Sequence, residues 1–238
     1  MTVLAIAVPI LVSVVLLVWI ARVVTVYSDR ARGPVLSAET IPDVPPQGLV
    51  SIIVPAKDEE ANIGAALETL RAQDYPDIEI IVVDDRSQDA TAEIVRRVAR
   101  RDDRIRLVQV TELPEGWFGK PHAMHVGAGE AGGDWLLFVD ADCRQAPHSA
   151  RAGVHFLADA GGDVLSLWPV LEMHGFWENT VQPVAGSVLA AWFRPGRVND
   201  PDRKTAFANG QYILMRRSAY DAVGGYAAVR NEMVEDIA

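Results

Sequence analysis

Trp135-Leu136-Leu137-Phe138-Val139-Asp140-Ala141-Asp142 is the stretch that decides the fold. An apolar run stops abruptly at two aspartates one residue apart. The run is too short to span a membrane and has the character of a strand buried on both faces. The acids then stand at its carboxyl edge, where open α/β sheets bind ligands. In extended chain, residues i and i+2 point the same way, so Asp140 and Asp142 can converge on one cation. Two oxygen donors without paired His or Cys suit Mg²⁺ or Mn²⁺ better than zinc. An ordinary turn is the plain alternative, because Asp is common where strands end.

Outward from this stretch, the same pattern recurs. Leu49 to Val54 reads as a buried strand stopped by Pro55. Asp58 is placed to cap a helix carrying Glu59 and Glu60 in its first turn, where the helix dipole favours acids. Ile63, Ala66, Leu67 and Leu70 then form one apolar helical face. A second strand, Ile78 to Val83, runs into Asp84-Asp85-Arg86-Ser87. A helix from about Ala90 to Arg101 and a strand from Ile105 to Val110 follow. Strands alternating with helices at this spacing imply a parallel sheet. Neither G-x-G-x-x-G after the first strand nor G-x-x-x-x-G-K-[ST] occurs, so the dinucleotide and P-loop versions of this architecture lack their phosphate loops here.

The 238 residues carry a net charge of −10, which argues against general nucleic-acid binding. The single cysteine, Cys143, rules out an internal disulfide and makes no zinc site. Val3 to Val24 is nearly unbroken apolar sequence, interrupted by Pro9, Ser13 and Arg22. Some 20 residues at about 1.5 Å each cross a bilayer core of about 30 Å. A cleaved signal peptide would want a basic start and a small-residue cleavage site, and neither is evident. Arg22, Arg30 and Arg32 follow the span and no basic residue precedes it. The positive-inside rule then puts the rest of the chain in the cytoplasm, on an inner or plasma membrane. The expected organisation is an anchor over 1–26, a Pro-rich linker over 27–48 and a globular domain over 49–238. That domain divides into a nucleotide half, 49–145, and an acceptor half, 146–238.

The second half predicts a helix over about Pro147 to Ala158 and strands at Asp163–Trp168 and Tyr212–Arg216. A short helix runs to Gly224-Gly225. Phe176 to Phe193 reads as a core helix broken near Pro183, with a helix in the membrane interface as the alternative. Arg194, Arg197, Arg203 and Lys204 follow it, placed for lipid headgroups.

Three blocks together resemble the family 2 glycosyltransferases of the GT-A fold: Ser51 to Ile63, Ile80 to Thr91, and Phe138-Val139-Asp140-Ala141-Asp142. Asn209 to Tyr226 and Glu235-Asp236 fit the same pattern. Lys57-Asp58 stands where Tyr/Arg-Asn is usual, and Arg86 where Gly is usual. The resemblance implies an α/β GT-A domain preceded by a transmembrane helix. It further implies a metal-dependent inverting transferase moving a sugar from a nucleotide-sugar, a UDP-sugar, to a hydroxyl acceptor. On that reading Asp85, or its neighbour Asp84, meets the uracil N–H, and Pro55, Ala56 and Glu59 line the nucleoside pocket. Asp140 and Asp142 form the D-x-D pair whose Mg²⁺ or Mn²⁺ grips the diphosphate, and Asp236 is the base.

Leu113-Pro-Glu-Gly-Trp-Phe-Gly-Lys120 resembles family members acting on hopanoid or carotenoid lipids, which points to a lipid or polyprenyl-type acceptor. Lys120 is either a point charge facing the diphosphate or a solvated loop lysine. Trp117 either stacks on a sugar or closes a turn, and His122 and His125 read as structural. Membrane enzymes of this type usually continue with further helices and spans, so the chain is expected to be the N-terminal part of a longer protein. Two rivals are a non-catalytic, membrane-tethered sugar-nucleotide binding module and a sugar-1-phosphate nucleotidyltransferase. The latter would need a Gly-rich loop with Arg and Lys after the first strand, which is absent.

Overall fold

The computed structural model describes residues 2–32, 35–36, 41–42, 47–193, 198–199, 202 and 207–231. The chain forms two compact units, one of residues 1–35 and 170–207, the other of 36–169 and 208–238.

The larger unit is a mixed α/β sandwich built on a six-stranded sheet. Its strands are β1 (Val50–Ala56), β2 (Ile78–Asp85), β3 (Ile105–Val110), β4 (Trp135–Val139), β5 (Val164–Ser166) and β6 (Tyr212–Arg216). The order across the sheet is β3-β2-β1-β4-β6-β5. β3, β2, β1 and β4 are parallel, as the strand–helix alternation predicts. β6 runs antiparallel to both β4 and β5, so the sheet is mixed on one side. In register, Ile53 stands opposite Phe138 and Ala56 opposite Asp84. The parallel strands therefore end together, and their acids collect at one edge.

Side chains that alternate across the pleat feed two cores. On one face Ile52, Val54, Ile80, Val82, Leu137 and Leu214 pack with the helices α2 (Ile63–Arg71), α3 (Thr91–Ala99) and α5 (Ser149–Asp159). On the other, Ile53, Leu136, Phe138 and Ile213 meet Met124 and Ala128 of a helix α4, Gly119–Glu130. Tyr220 of the short helix α7 (Arg217–Ala222) and Tyr226 complete that core. Tyr226 meets the Phe138 ring edge-on at 5.0 Å.

α4 is an element that the sequence pattern hid. Gly127 and Gly129 weaken its helix propensity, and no regular apolar stripe marks it. Its signal was Pro121, which sits in the first turn, where a helix tolerates a missing N–H. Gly127 explains the close seat of α4 on the sheet. A Cβ there would lie 2.5 Å from Ile53 Cγ2 and 3.0 Å from Val83 Cγ2.

Asp58 does not cap α2, which starts at Ile63 behind Asn62. It sits at a left-handed φ of 54°, a conformation that Asp tolerates better than most residues, and ties two loops together instead. Its backbone N–H donates to Ser87 Oγ (3.0 Å), and its Oδ1 accepts the Gln88 N–H (2.8 Å). Glu60 repeats the exchange, donating its N–H to Asp89 Oδ2 (2.9 Å) and accepting the Ala90 N–H at Oε2 (3.0 Å). The Glu59 N–H donates to Thr91 Oγ1 at 2.8 Å. The loops after β1 and β2 are thus one hydrogen-bonded piece.

The smaller unit contains the helices α1 (Thr2–Arg32) and α6 (Gly175–Trp192), which touch each other. α1 contains a stretch, Ile6–Thr25, long and apolar enough to cross a membrane by length and composition. α6 continues through Pro183 rather than breaking there. Neither is it a core helix: Phe176 and Trp177 are each 73% exposed, and Val181 and Val184 are also exposed. Its polar side chains fold back on its own carbonyls, Thr180 Oγ1 to Phe176 O at 2.8 Å and Ser187 Oγ to Pro183 O at 2.6 Å. The residues Arg194, Arg197, Arg203 and Lys204 lie outside the described residues.

Gly127→Ala should destabilise the larger unit by about 1–3 kcal/mol, the usual cost of overpacking a filled core. Denaturant unfolding followed by circular dichroism checks this. An unchanged midpoint would mean that α4 does not sit as closely as described.

Candidate functional site

A cleft of about 460 Å³ opens at the carboxyl ends of β1, β2 and β4. Pro55, Ala56, Glu59, Asp85, Lys120, Asp140 and Asp142 all line it. Of the residues singled out in the sequence, Asp84 is elsewhere and Asp236 lies outside the described residues. Lys57, Arg86, Gly119, Ala123 and Ala141 complete the lining.

Asp84 and Asp85 divide their labour. Asp84 is buried and braces its own loop, accepting the Ser87 N–H at 3.2 Å and Gln109 Nε2 at 3.0 Å. Asp85 belongs to the cleft. Both its oxygens accept from the neighbouring Arg86 guanidinium, Nε to Oδ1 at 2.8 Å and Nη2 to Oδ2 at 3.0 Å. Arg86 reaches this geometry from a left-handed backbone, φ 60°.

Gly119, the first residue of α4, closes on that pair. A Cβ at position 119 would stand 2.5 Å from Asp85 Oδ2. The next residue, Lys120, is a first-turn helical residue rather than a loop lysine. Its Nζ lies 3.0 Å from Asp140 Oδ1, so an ammonium sits on the first acid of the pair. Sequence reasoning passed over Gly119 because its role depends on a helix start it did not see.

Asp140, Asp142 and Cys143 place one donor atom each within 4.8 Å of one another. The Cys143 thiol is pushed up to about 12, mainly by burial and then by the neighbouring Asp142 and Asp140 charges. The two carboxylates are a hard oxygen set that fits Mg²⁺ or Mn²⁺, ions to which a soft thiol adds little. The Lys120 ammonium on Asp140 marks where positive charge is already accommodated.

Beside the cleft, Trp117 stands between two histidines, with ring centroids 5.3 Å from His122 and 5.0 Å from His125. Burial lowers the His122 pKa, which keeps the ring neutral at pH 7. The residues after α7 return to this side of the sheet. The Phe118 N–H, immediately before α4, donates to the Arg230 carbonyl at 3.0 Å.

The profile described as "Glycosyl transferase family 2" matches residues 51–224. The chain belongs to this family. A curated relative, 4,4'-diaponeurosporenoate glycosyltransferase of Staphylococcus aureus, is 28% identical over 198 residues, covering 79% of this chain and 49% of the relative. The chain thus spans about half the length of the curated relatives it matches. Among solved structures, the mannosyltransferase PcManGT of Pyrobaculum calidifontis, in complex with GDP-Man and Mn²⁺, aligns with a TM-score of 0.60 at 24% identity. That alignment covers 87% of this chain and 55% of that one. TarS 1-349 of S. aureus, in complex with UDP-GlcNAc, aligns with a TM-score of 0.53 at 23% identity, over 74% of this chain and 47% of that one. The GT-A fold expected from the sequence is the fold observed.

Proposed function

We propose that this chain carries the donor site of a membrane-anchored, inverting glycosyltransferase that transfers a sugar from a UDP-sugar to a hydroxyl on a lipid or polyprenyl-type acceptor. The observation that carries this reading is the convergence of Asp85, Asp140, Asp142 and Lys120 on one cleft at the ends of three parallel strands. Pro55, Ala56 and Glu59 form the nucleoside side of the cleft, and Asp85 meets the base. Asp140 and Asp142 would hold Mg²⁺ or Mn²⁺, which when bound neutralises charge developing on the leaving diphosphate. Lys120, released from Asp140, adds a mobile positive charge for the same oxygens. The fold relatives that hold GDP-Man with Mn²⁺, and UDP-GlcNAc, support a nucleotide-sugar donor. The carotenoid-type relative supports a lipid-like acceptor.

Asp236 is the proposed base. A hydroxyl attacking the anomeric carbon must lose its proton to a group within hydrogen-bond reach. The chain leading to Asp236 is tethered beside the cleft at Arg230, through the bond to Phe118 next to Gly119 and Lys120. Direct displacement by that hydroxyl inverts the sugar's configuration.

The proposed anchor is α1, with the cleft on the cytoplasmic side, where sugar nucleotides are made. The exposed apolar side chains of α6 suit a helix in the membrane interface, close to where a lipid acceptor lies.

Three outcomes test these readings. Asp142→Ala should abolish Mn²⁺-dependent UDP binding in calorimetry while leaving the fold intact, since Asp142 is exposed. UDP binding that is unchanged in EDTA would refute the metal site. In the full-length protein, Asp236→Asn should lower transfer by about 10²–10⁴-fold, with little change in donor affinity. Near-full turnover, or donor binding lost along with turnover, would rule Asp236 out as base. A reporter joined after Gly48 should be cytoplasmic, and an active periplasmic phosphatase fusion there would overturn the orientation.

A further inference from the structure

Arg86 is an anomaly in the cleft that the donor reading does not absorb. It is a bulky residue at φ 60°, a backbone region that L-residues rarely adopt because Cβ crowds the following carbonyl. Strain of this kind persists where surrounding contacts fix it, and it clusters at ligand clamps. Here the fixing contact is the two-point bond to Asp85.

That bond occupies one edge of the guanidinium, Nε and one N–H of Nη2. The other edge, Nη1 and the outer N–H of Nη2, has no hydrogen-bond partner among the described residues. The Arg86 side chain is 30% exposed, against 5% for Asp85, and it forms part of the cleft wall. Each Asp85 oxygen accepts one bond from Arg86 and keeps a second lone pair. Gly119 presses on both partners, its absent Cβ falling 2.5 Å from Asp85 Oδ2 and 3.5 Å from Arg86 Nη2. The pair is therefore clamped between its own loop and the start of α4, and cannot swing apart without moving one of them.

We propose that Arg86 is a base-specificity residue: Asp85 and Arg86 act together as an adjacent acceptor and donor that read the imide edge of uracil. This rests on the nucleotide-sugar reading above and deepens it. Uracil offers an N–H donor at N3 flanked by carbonyl acceptors. Asp85 accepts the N3–H with its remaining lone pair, and the outward edge of Arg86 donates to the carbonyl at O4. Cytosine reverses both groups, with a bare N3 acceptor and an amino donor. It would set acceptor against Asp85 and donor against Arg86. Sites built from such fixed polar groups reject the mismatched ligand strongly, because their own groups are left unpaired.

The test is calorimetric titration of the Mn²⁺-loaded chain, in detergent, with UDP, CDP and GDP. Arg86→Gly suits the comparison, since glycine takes a φ of 60° without strain and the fold should be kept. Wild-type protein should bind UDP more tightly than CDP. The glycine variant should lose about tenfold in UDP affinity, the worth of one hydrogen bond to a charged group. Its UDP-to-CDP ratio should fall by at least the same factor, Asp85 keeping the rest of the preference, while EDTA still abolishes binding. Arg86→Lys keeps charge but not the two-edged geometry, and should fall between the two. An unchanged UDP-to-CDP ratio would show that Arg86 only supports the loop and overturn the proposal. So would wild-type protein that shows no preference for UDP over CDP. If no nucleoside diphosphate bound the wild-type chain at all, the donor reading itself would fail, a result distinct from an unaltered preference.

Discussion

Burial on both faces is the constraint from which the rest follows. β1, β2 and β4 are covered by helices above and below, so their middles admit almost only apolar side chains. Ser51 is the buried exception, and it is satisfied at both ends, donating to Glu79 Oε1 at 2.6 Å and accepting the Gly133 N–H at 2.8 Å. A charged group can stand only where a strand leaves the sandwich. Because the strands are parallel and in register, they leave it at the same edge. The acids of three separate segments are thus brought together by the sheet itself.

Much of this was legible in the chain. The runs before Asp84 and Asp140 gave strands whose ends matter, and the i, i+2 spacing of Asp140 and Asp142 gave a shared direction. What stayed hidden depends on partners distant in sequence. Asp58 looked like a helix cap because it precedes acids and an apolar stripe. Its hydrogen-bond partners, Ser87 and Gln88, lie some thirty positions away. α4 was missed because its glycines, which weaken a helix locally, are there for contacts with β1, β2 and Asp85. α6 was assigned to a core by its apolar content alone, and content does not say whether protein or lipid covers a helix.

The division between Asp84 and Asp85 shows the same limit. Consecutive strand residues point to opposite faces, so one of two adjacent acids had to serve the loop and the other the cleft. Period alone does not say which. Gln109 on β3 decides it, since β3 is the neighbouring strand and its amide reaches only Asp84.

The missing Cβ at Gly127 has a reach beyond its own contact. It lies two turns along α4 from Gly119, ~12 Å at the usual helical rise. A rigid helix seated at one end carries its other end as a lever carries its tip. The gap between Lys120 and Asp140 is therefore set partly from the far side of the domain, by how flatly α4 lies on Ile53 and Val83. A change of a single methyl group there would tilt the rod and alter the width of the cleft mouth. The tolerance of the site is thus a machining tolerance, held at a bearing that never meets the ligand.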